Sequence, residues 1–491
     1  MSAIAPPSRV PLWTEIGAGL LILAAVVFGG ASGDNLLRQG AVELISVPVF
    51  CGAAWTLWRS GRLAHHRRAL ALVALIPLVP LLHLAPLPPA IWQALPGREP
   101  LVEALALAGM AHRWMPMTVT PEQTWLSLLF LFPPFAILLS VAAASETQRW
   151  RLAVVAVATA LLAAVWAAAQ VASGSDPALL AHQTIHGYLP IGPFSNRNHQ
   201  AILMVVGAAL AGVWPATIAA RSRAAGPGEL VVGTVLLAIF CVAGLATQSR
   251  AGVAGLAIVA AGCVAMVALA APPSRRRRGP LIAVGGVLAT GLGVAVLVGM
   301  QALQSRFAML AEREGRMEFW PDIVTAGLAY QPFGAGIGAF ETVFIQAEPL
   351  DRMRTVYIDQ AHNDFLELWV DAGWPGILVA VIVLAFLVRR MVGVWVTSGR
   401  EAGGGADNLA RAGSLICLVL ILHSAVDYPL GVEALAVMFA LGAGLVLFGG
   451  AGEAASQPSR SRRRRRRSRP DSEQAAPEPA PDGAKAASPA S

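Results

Sequence analysis

Ile358-Asp359-Gln360-Ala361-His362-Asn363-Asp364-Phe365-Leu366-Glu367-Leu368-Trp369 closes a polar segment that runs from about Gln301 to Trp374. Apolar spans flank it on both sides, in a chain that is otherwise mostly hydrocarbon. The segment gathers Arg306, Arg313, Arg316, Arg352, Arg354, Glu341, Asp359 and His362, the densest cluster of chemically capable side chains in the sequence. A connection this long between membrane spans is usually functional. It reads as a lid over a site at one membrane face.

Composition fixes the surroundings of that lid. Of 491 residues, 56% are hydrophobic and 13% charged, against about 25% charged in soluble globular proteins. Bilayer thickness, at roughly 20 apolar residues per helix, therefore sets the architecture. Cys51, Cys241, Cys263 and Cys417 lie in or beside apolar runs without a CxxC spacing, which argues for packing thiols rather than a disulfide framework or metal site. The formal charge of +7 comes largely from the tail Arg460 to Arg469 and from arginines flanking spans. Such arginines orient a membrane protein more often than they bind nucleic acid.

Apolar runs predict spans near 12–30, 41–58, 69–89, 124–144, 152–172, 200–220, 230–247, 252–271, 280–300, 374–391, 409–425 and 432–449. The expected fold is an all-α polytopic membrane protein of about twelve helices, with a large, partly helical periplasmic loop, 301–373, before the tenth span. Twelve spans place both termini in the cytoplasm. The inner connections then hold seventeen arginines before the tail, which adds nine basic residues, and the outer ones hold ten. That bias follows the positive-inside rule. Among outer segments, 90–123 is moderately polar, with Leu95–Ala108 expected as a surface helix. Residues 1–450 form the transmembrane domain. Residues 451–491, rich in Arg, Pro, Ser and Ala, read as a disordered basic cytoplasmic tail held against anionic inner-leaflet lipids.

Several residues carry chemistry in this frame. His362 precedes Asn363-Asp364, a helix-capping pair, and then an apolar helical pattern. It is either a polar residue at a re-entry helix or a general base, since imidazole takes a hydroxyl proton at neutral pH. Arg250, in the short turn Thr247-Gln248-Ser249-Arg250-Ala251-Gly252, either snorkels to head groups or grips a phosphate there. Arg316 reads as a helix-face charge paired with Glu312 or Glu318. Pro332-Phe333-Gly334-Ala335-Gly336-Ile337-Gly338 is a tight turn, or a run of N–H groups that admits an anion. Near Ala201, Asn198 or Ser195 is the expected helix cap, with Arg197 and His199 second-rank candidates for substrate contact, as is Asn363. His423 and Asp427, four apart, are expected to pair across one helix face. No third ligand at a persuasive spacing supports a metal there.

In order along the chain, Gly192-Pro193-Phe194-Ser195-Asn196-Arg197-Asn198-His199, Ser249-Arg250-Ala251-Gly252, Arg316 with Trp320, Pro332 to Phe340, Ala361-His362-Asn363-Asp364-Phe365-Leu366 with Gly373-Trp374-Pro375-Gly376, and His423 to Asp427 resemble the O-antigen ligase/polymerase-related family of polytopic membrane glycosyltransferases. The resemblance covers roughly Gly192 to Leu430. It implies transfer of a glycan from undecaprenyl diphosphate to an acceptor sugar hydroxyl at the periplasmic face of the bacterial inner membrane. It implies no cofactor, metal or nucleotide sugar. His362 would be the base, and Arg250 and Arg316 would hold the diphosphate. A ligase acting on lipid A–core is the first reading; a repeat-unit polymerase, whose acceptor is a second lipid-linked glycan, is the alternative. A transporter is the reading from another class, and the scarcity of ionisable residues deep in the spans counts against it.

Overall fold

Apolar runs become helices here because hydrocarbon offers no outside partner for backbone N–H and C=O groups. The computed structural model describes residues 11–31, 36–174, 176–182, 189–220, 227–270, 285–286, 319–351, 358–397 and 405–449. Within them, six helices are long and apolar enough to cross a membrane: Leu36–Arg59, Pro121–Ala143, Glu146–Ala172, Arg197–Ala219, Arg250–Leu269 and Asp364–Val396. Arg62–Val73 and Leu75–His83, bent by 43°, make a seventh if taken as one span. Shorter apolar helices stand at Leu12–Phe28, Leu230–Ala246 and Glu433–Phe448, and another helix covers Gly405–His423. Helices therefore occupy each expected span position except 280–300, of which only residues 285–286 are described. The chain divides into Met1–Gly450 and Ala451–Ser491, and all described residues belong to the first unit.

The helix starting at Arg197 is the centre of the bundle. Every residue from His199 to Ala211 is buried, against Glu146–Ala172, Pro227–Ala246, Arg250–Ala270 and Gly405–His423. Small residues let neighbours approach closely. Gly413 and Gly442 face each other so tightly that a Cβ on Gly413 would lie 2.6 Å from the Gly442 carbonyl oxygen. Gly405–His423 and Glu433–Phe448 thus meet backbone against backbone.

The helix from Asp364 contains a break. Gly373 has φ 58° and ψ −159°, a conformation that favours glycine. The Trp374 N–H there donates to Pro332 O at 3.0 Å, and the span proper continues beyond it. Before the break, the first turns of this helix pack with Trp320–Leu328 and Phe340–Ala347 around a second apolar core of Ile323, Ala326, Phe340, Phe344 and Val370.

The segment 84–120 of the N-terminal half joins this end cap. Pro86–Leu87 pairs antiparallel with Met115–Pro116, the only sheet among the described residues. The expected surface helix is present as Glu99–Leu107, with no residue buried. Arg98 is buried, donates to the carbonyls of Met117 and Pro96, and lies 5.4 Å from the Tyr330 ring centroid. Burial lowers the guanidinium pKa and raises that of the phenol. Val119 N–H donates to Ala335 O at 2.8 Å, stitching the two segments together.

Candidate functional site

His362 lies in a turn whose geometry its neighbours impose. Its φ is +49°, a left-handed conformation sparsely populated by side-chain-bearing residues and found often at functional sites. On one side, Ala361 is fixed by Trp320 Nε1, which donates to its carbonyl at 3.2 Å, and by Glu367 Oε2, which accepts from its N–H at 3.0 Å. On the other side, Asn363 Oδ1 caps the helix by accepting from Phe365 N–H and Leu366 N–H, each at 3.1 Å. Asp364 ties the turn to the segment after Gly405–His423. Its N–H donates to Ser424 O at 2.9 Å, and its Oδ2 accepts from Ser424 Oγ at 2.6 Å and Leu430 N–H at 3.2 Å.

That tie brings Asp427 under the imidazole. Asp427 Oδ1 lies 3.2 Å from His362 Nδ1, with the carboxylate 1% and the imidazole 25% exposed. A buried acceptor on Nδ1 holds the proton on that nitrogen and leaves Nε2 as the basic atom of a partly open ring. Asp427 Oδ1 also accepts from Tyr428 N–H at 3.2 Å, and Oδ2 accepts from Asn198 Nδ2 at 2.8 Å. The anticipated His423–Asp427 pair is present at 3.7 Å, an ion-pair rather than a hydrogen-bond distance. The residue that Asp427 orients is His362, 65 positions away in sequence.

Two further residues and the glycine run are placed more definitely than the sequence reading allowed. Asn198 is not the cap: Asn196 Oδ1 accepts from Asn198 N–H at 2.9 Å, which frees the Asn198 side chain for Asp427. His199 is fully buried, edge-on to Tyr428 at 5.0 Å between ring centroids, and Tyr428 also lies 5.0 Å from the His362 ring. It adjoins the site through an aromatic wall rather than opening onto it. From Gly334 to Ala339 every N–H of the glycine run is already bonded within the chain. Gly334, Ala335, Gly336 and Ala339 donate to the carbonyls of Tyr330, Val370, Asp371 and Gly336, while Ile337 donates to His83 Nδ1 and Gly338 to Asp371 Oδ2. It is a structural turn.

Arg250 opens the helix Arg250–Ala270 and is exposed. Ser249 caps that helix, its Oγ accepting from Gly252 N–H at 3.1 Å. A Cβ on Gly252 would sit 2.5 Å from Ala201 Cβ, so this helix start abuts the first turn of the central helix. Asn198 lies one turn from Ala201, which places Arg250 and His362 at the same end of the bundle. Arg197, half-buried, begins the central helix there too. Arg316, with Arg306, Arg313, Arg352 and Arg354, falls outside the described residues.

Asp427 and Tyr428 were not legible as partners of His362, nor Asn198 as a partner of Asp427. The available signal was Asp427 itself, an acid at the edge of an apolar helix, which is a functional candidate by default. No curated protein matches the chain significantly. Residues 233–381, a stretch that holds Arg250, Arg316 and His362, match the family model described as Wzy_C, O-Antigen ligase, so this part of the chain is similar to the O-antigen ligase-related family.

Proposed function

We propose that the protein is a polytopic inner-membrane glycosyltransferase that moves a glycan from undecaprenyl diphosphate to a sugar hydroxyl on lipid A–core, with its site on the periplasmic face and both termini in the cytoplasm. The twelve-span topology belongs to the same reading. The observation that carries it is the 3.2 Å contact of a partly exposed His362 with a buried Asp427, at the bundle end where Arg250 emerges.

His362 Nε2 takes the proton of the acceptor hydroxyl as its oxygen attacks the anomeric carbon. The bond from that carbon to the diphosphate oxygen breaks, and undecaprenyl diphosphate leaves with the electron pair. Asp427 stabilises the imidazolium that forms. Arg250 and Arg316 offset the charge that grows on the diphosphate, with bidentate donors suited to phosphate oxygens. The donor is already activated, so positioning, charge stabilisation and one base suffice. A single displacement inverts the anomeric centre.

The test is transfer from a synthetic polyprenyl-diphosphate glycan to purified lipid A–core by full-length protein in nanodiscs. His362→Ala and Arg250→Ala are expected to lose most of the rate. Wild-type transfer in both would remove the assignment.

A further inference from the structure

A second buried amide stands behind the Asn198–Asp427–His362 line. Gln170 is the third residue from the end of Glu146–Ala172 and is buried. Its side chain clasps one backbone unit from both sides: Nε2 donates to Gly192 O at 2.8 Å, and Oε1 accepts from Gly192 N–H at 2.8 Å. The remaining Nε2 hydrogen goes to Leu179 O at 3.0 Å. Gly192 is wedged on its other side. With φ +58°, a Cβ there would lie 2.6 Å from Gln200 Oε1 and 3.0 Å from Ala163 O. The turn that follows is fixed step by step. Phe194 is fully buried, Ser195 N–H donates to Gly30 O at 3.2 Å, and Asn196 caps the central helix. Two residues later Asn198 reaches Asp427.

We infer that Gln170 is a positioning residue for His362, acting through the clasped turn 192–196 and the Asn198–Asp427 contact. The inference rests on the proposed role of His362 as base. A polar amide near the end of an apolar helix is costly to bury unless its hydrogen bonds are made. Those of Gln170 go to the loop backbone, not to a neighbouring helix, so what they determine is where that loop, and hence Asn198, sits. Asn198 then does two things for Asp427. It fixes the carboxylate so that Oδ1 faces His362, and it draws down charge on Oδ2. Releasing the loop disorients the imidazole.

The test compares wild type with Gln170→Leu, Gln170→Asn, Asn198→Ala, the Gln170→Leu/Asn198→Ala double variant and His362→Ala. All are full-length in nanodiscs, with the synthetic polyprenyl-diphosphate glycan and lipid A–core. Gln170→Leu keeps similar bulk without hydrogen bonds; Gln170→Asn keeps the amide one methylene short and supplies the same kinetics if the leucine variant does not fold. Each is expected to lower kcat about 10- to 100-fold, the scale of a 1 Å misplacement, with donor KM within about twofold. The double variant should be no more than about twofold slower than Asn198→Ala, since residues acting in one line are not additive. Wild-type kcat in both Gln170 variants, or multiplied effects in the double variant, would overturn the inference while leaving the base assignment standing. Retained transfer in His362→Ala would overturn the assignment and the inference with it.

Discussion

Replacing Asp427 by asparagine isolates the contact on which the proton-transfer argument depends. The shape is unchanged, but the charge is lost and one oxygen becomes an NH2. A hydrogen bond to a charged partner contributes about 1.5–3 kcal/mol. With His362 25% exposed, solvent screening favours the lower half of that range, about 2 kcal/mol, or roughly 30-fold in rate. If the new amide donates to Nδ1, the imidazole carries its proton on Nε2 and cannot accept another, which adds about a further tenfold. The expected loss in kcat is therefore about 30- to 300-fold. Stability should fall as well, because an NH2 at Oδ1 would face Tyr428 N–H and one at Oδ2 would face Asn198 Nδ2, at about 1–3 kcal/mol for the unmade bond. Transfer rates in nanodiscs, with thermal unfolding in parallel, read both. A rate within twofold of wild type would refute the orienting role.

The remaining expectations are shorter. His362→Ala should cost about 100- to 10,000-fold in kcat, the usual span for a general base, measured in the same transfer assay. Arg250→Ala should lower kcat/KM for the donor about 10- to 100-fold, with only partial recovery in Arg250→Lys because an ammonium lacks the planar fork. Gly373→Ala places a Cβ 2.3 Å from Pro332 O at φ +58°, so it should cost more stability than the about 1–2 kcal/mol of a left-handed residue alone, seen as a lowered thermal midpoint. In a deletion strain, polymerised glycan should accumulate on its lipid carrier, seen by electrophoresis of lipid-linked glycans; single repeat units there would mark a polymerase instead.

The bundle was legible because its signals are local. Apolar runs and the arginine bias can be counted without knowing what touches what, and the break at Gly373 falls where the expected span begins. Asn363 was legible as a cap because a capping side chain bonds within three residues of itself. Asp427 was not, since spacing reveals only neighbours on one helix. It pointed to His423 at i,i+4, while the shorter contact runs to His362 across 65 residues. Asn196 and Asn198 show the same limit: both suit a cap by residue type, and tertiary packing decides which one reaches Asp427. The glycine run was ambiguous for another reason. Whether backbone N–H groups are free for a ligand depends on acceptors elsewhere in the chain, here His83 and Asp371.

The base and its orienting groups rest on different parts of the molecule, and this has a mechanical consequence. Asn198 begins the most deeply buried helix, and Asp427 lies in the turn joining two helices whose backbones touch at Gly413 and Gly442. Asp427 is anchored to packed bundle, and Asn198 is anchored where the clasped turn 192–196 enters it. His362 instead ends the polar segment, tethered through Ala361 to Trp320 of the end cap and through Asp364 to Ser424 and Leu430. Displacement of the end cap would therefore move the imidazole relative to the carboxylate. The tether through Asp364 limits that movement, since it ties the residues after His362 to the same turn that carries Asp427. His362 holds both attachments at a left-handed φ of +49°.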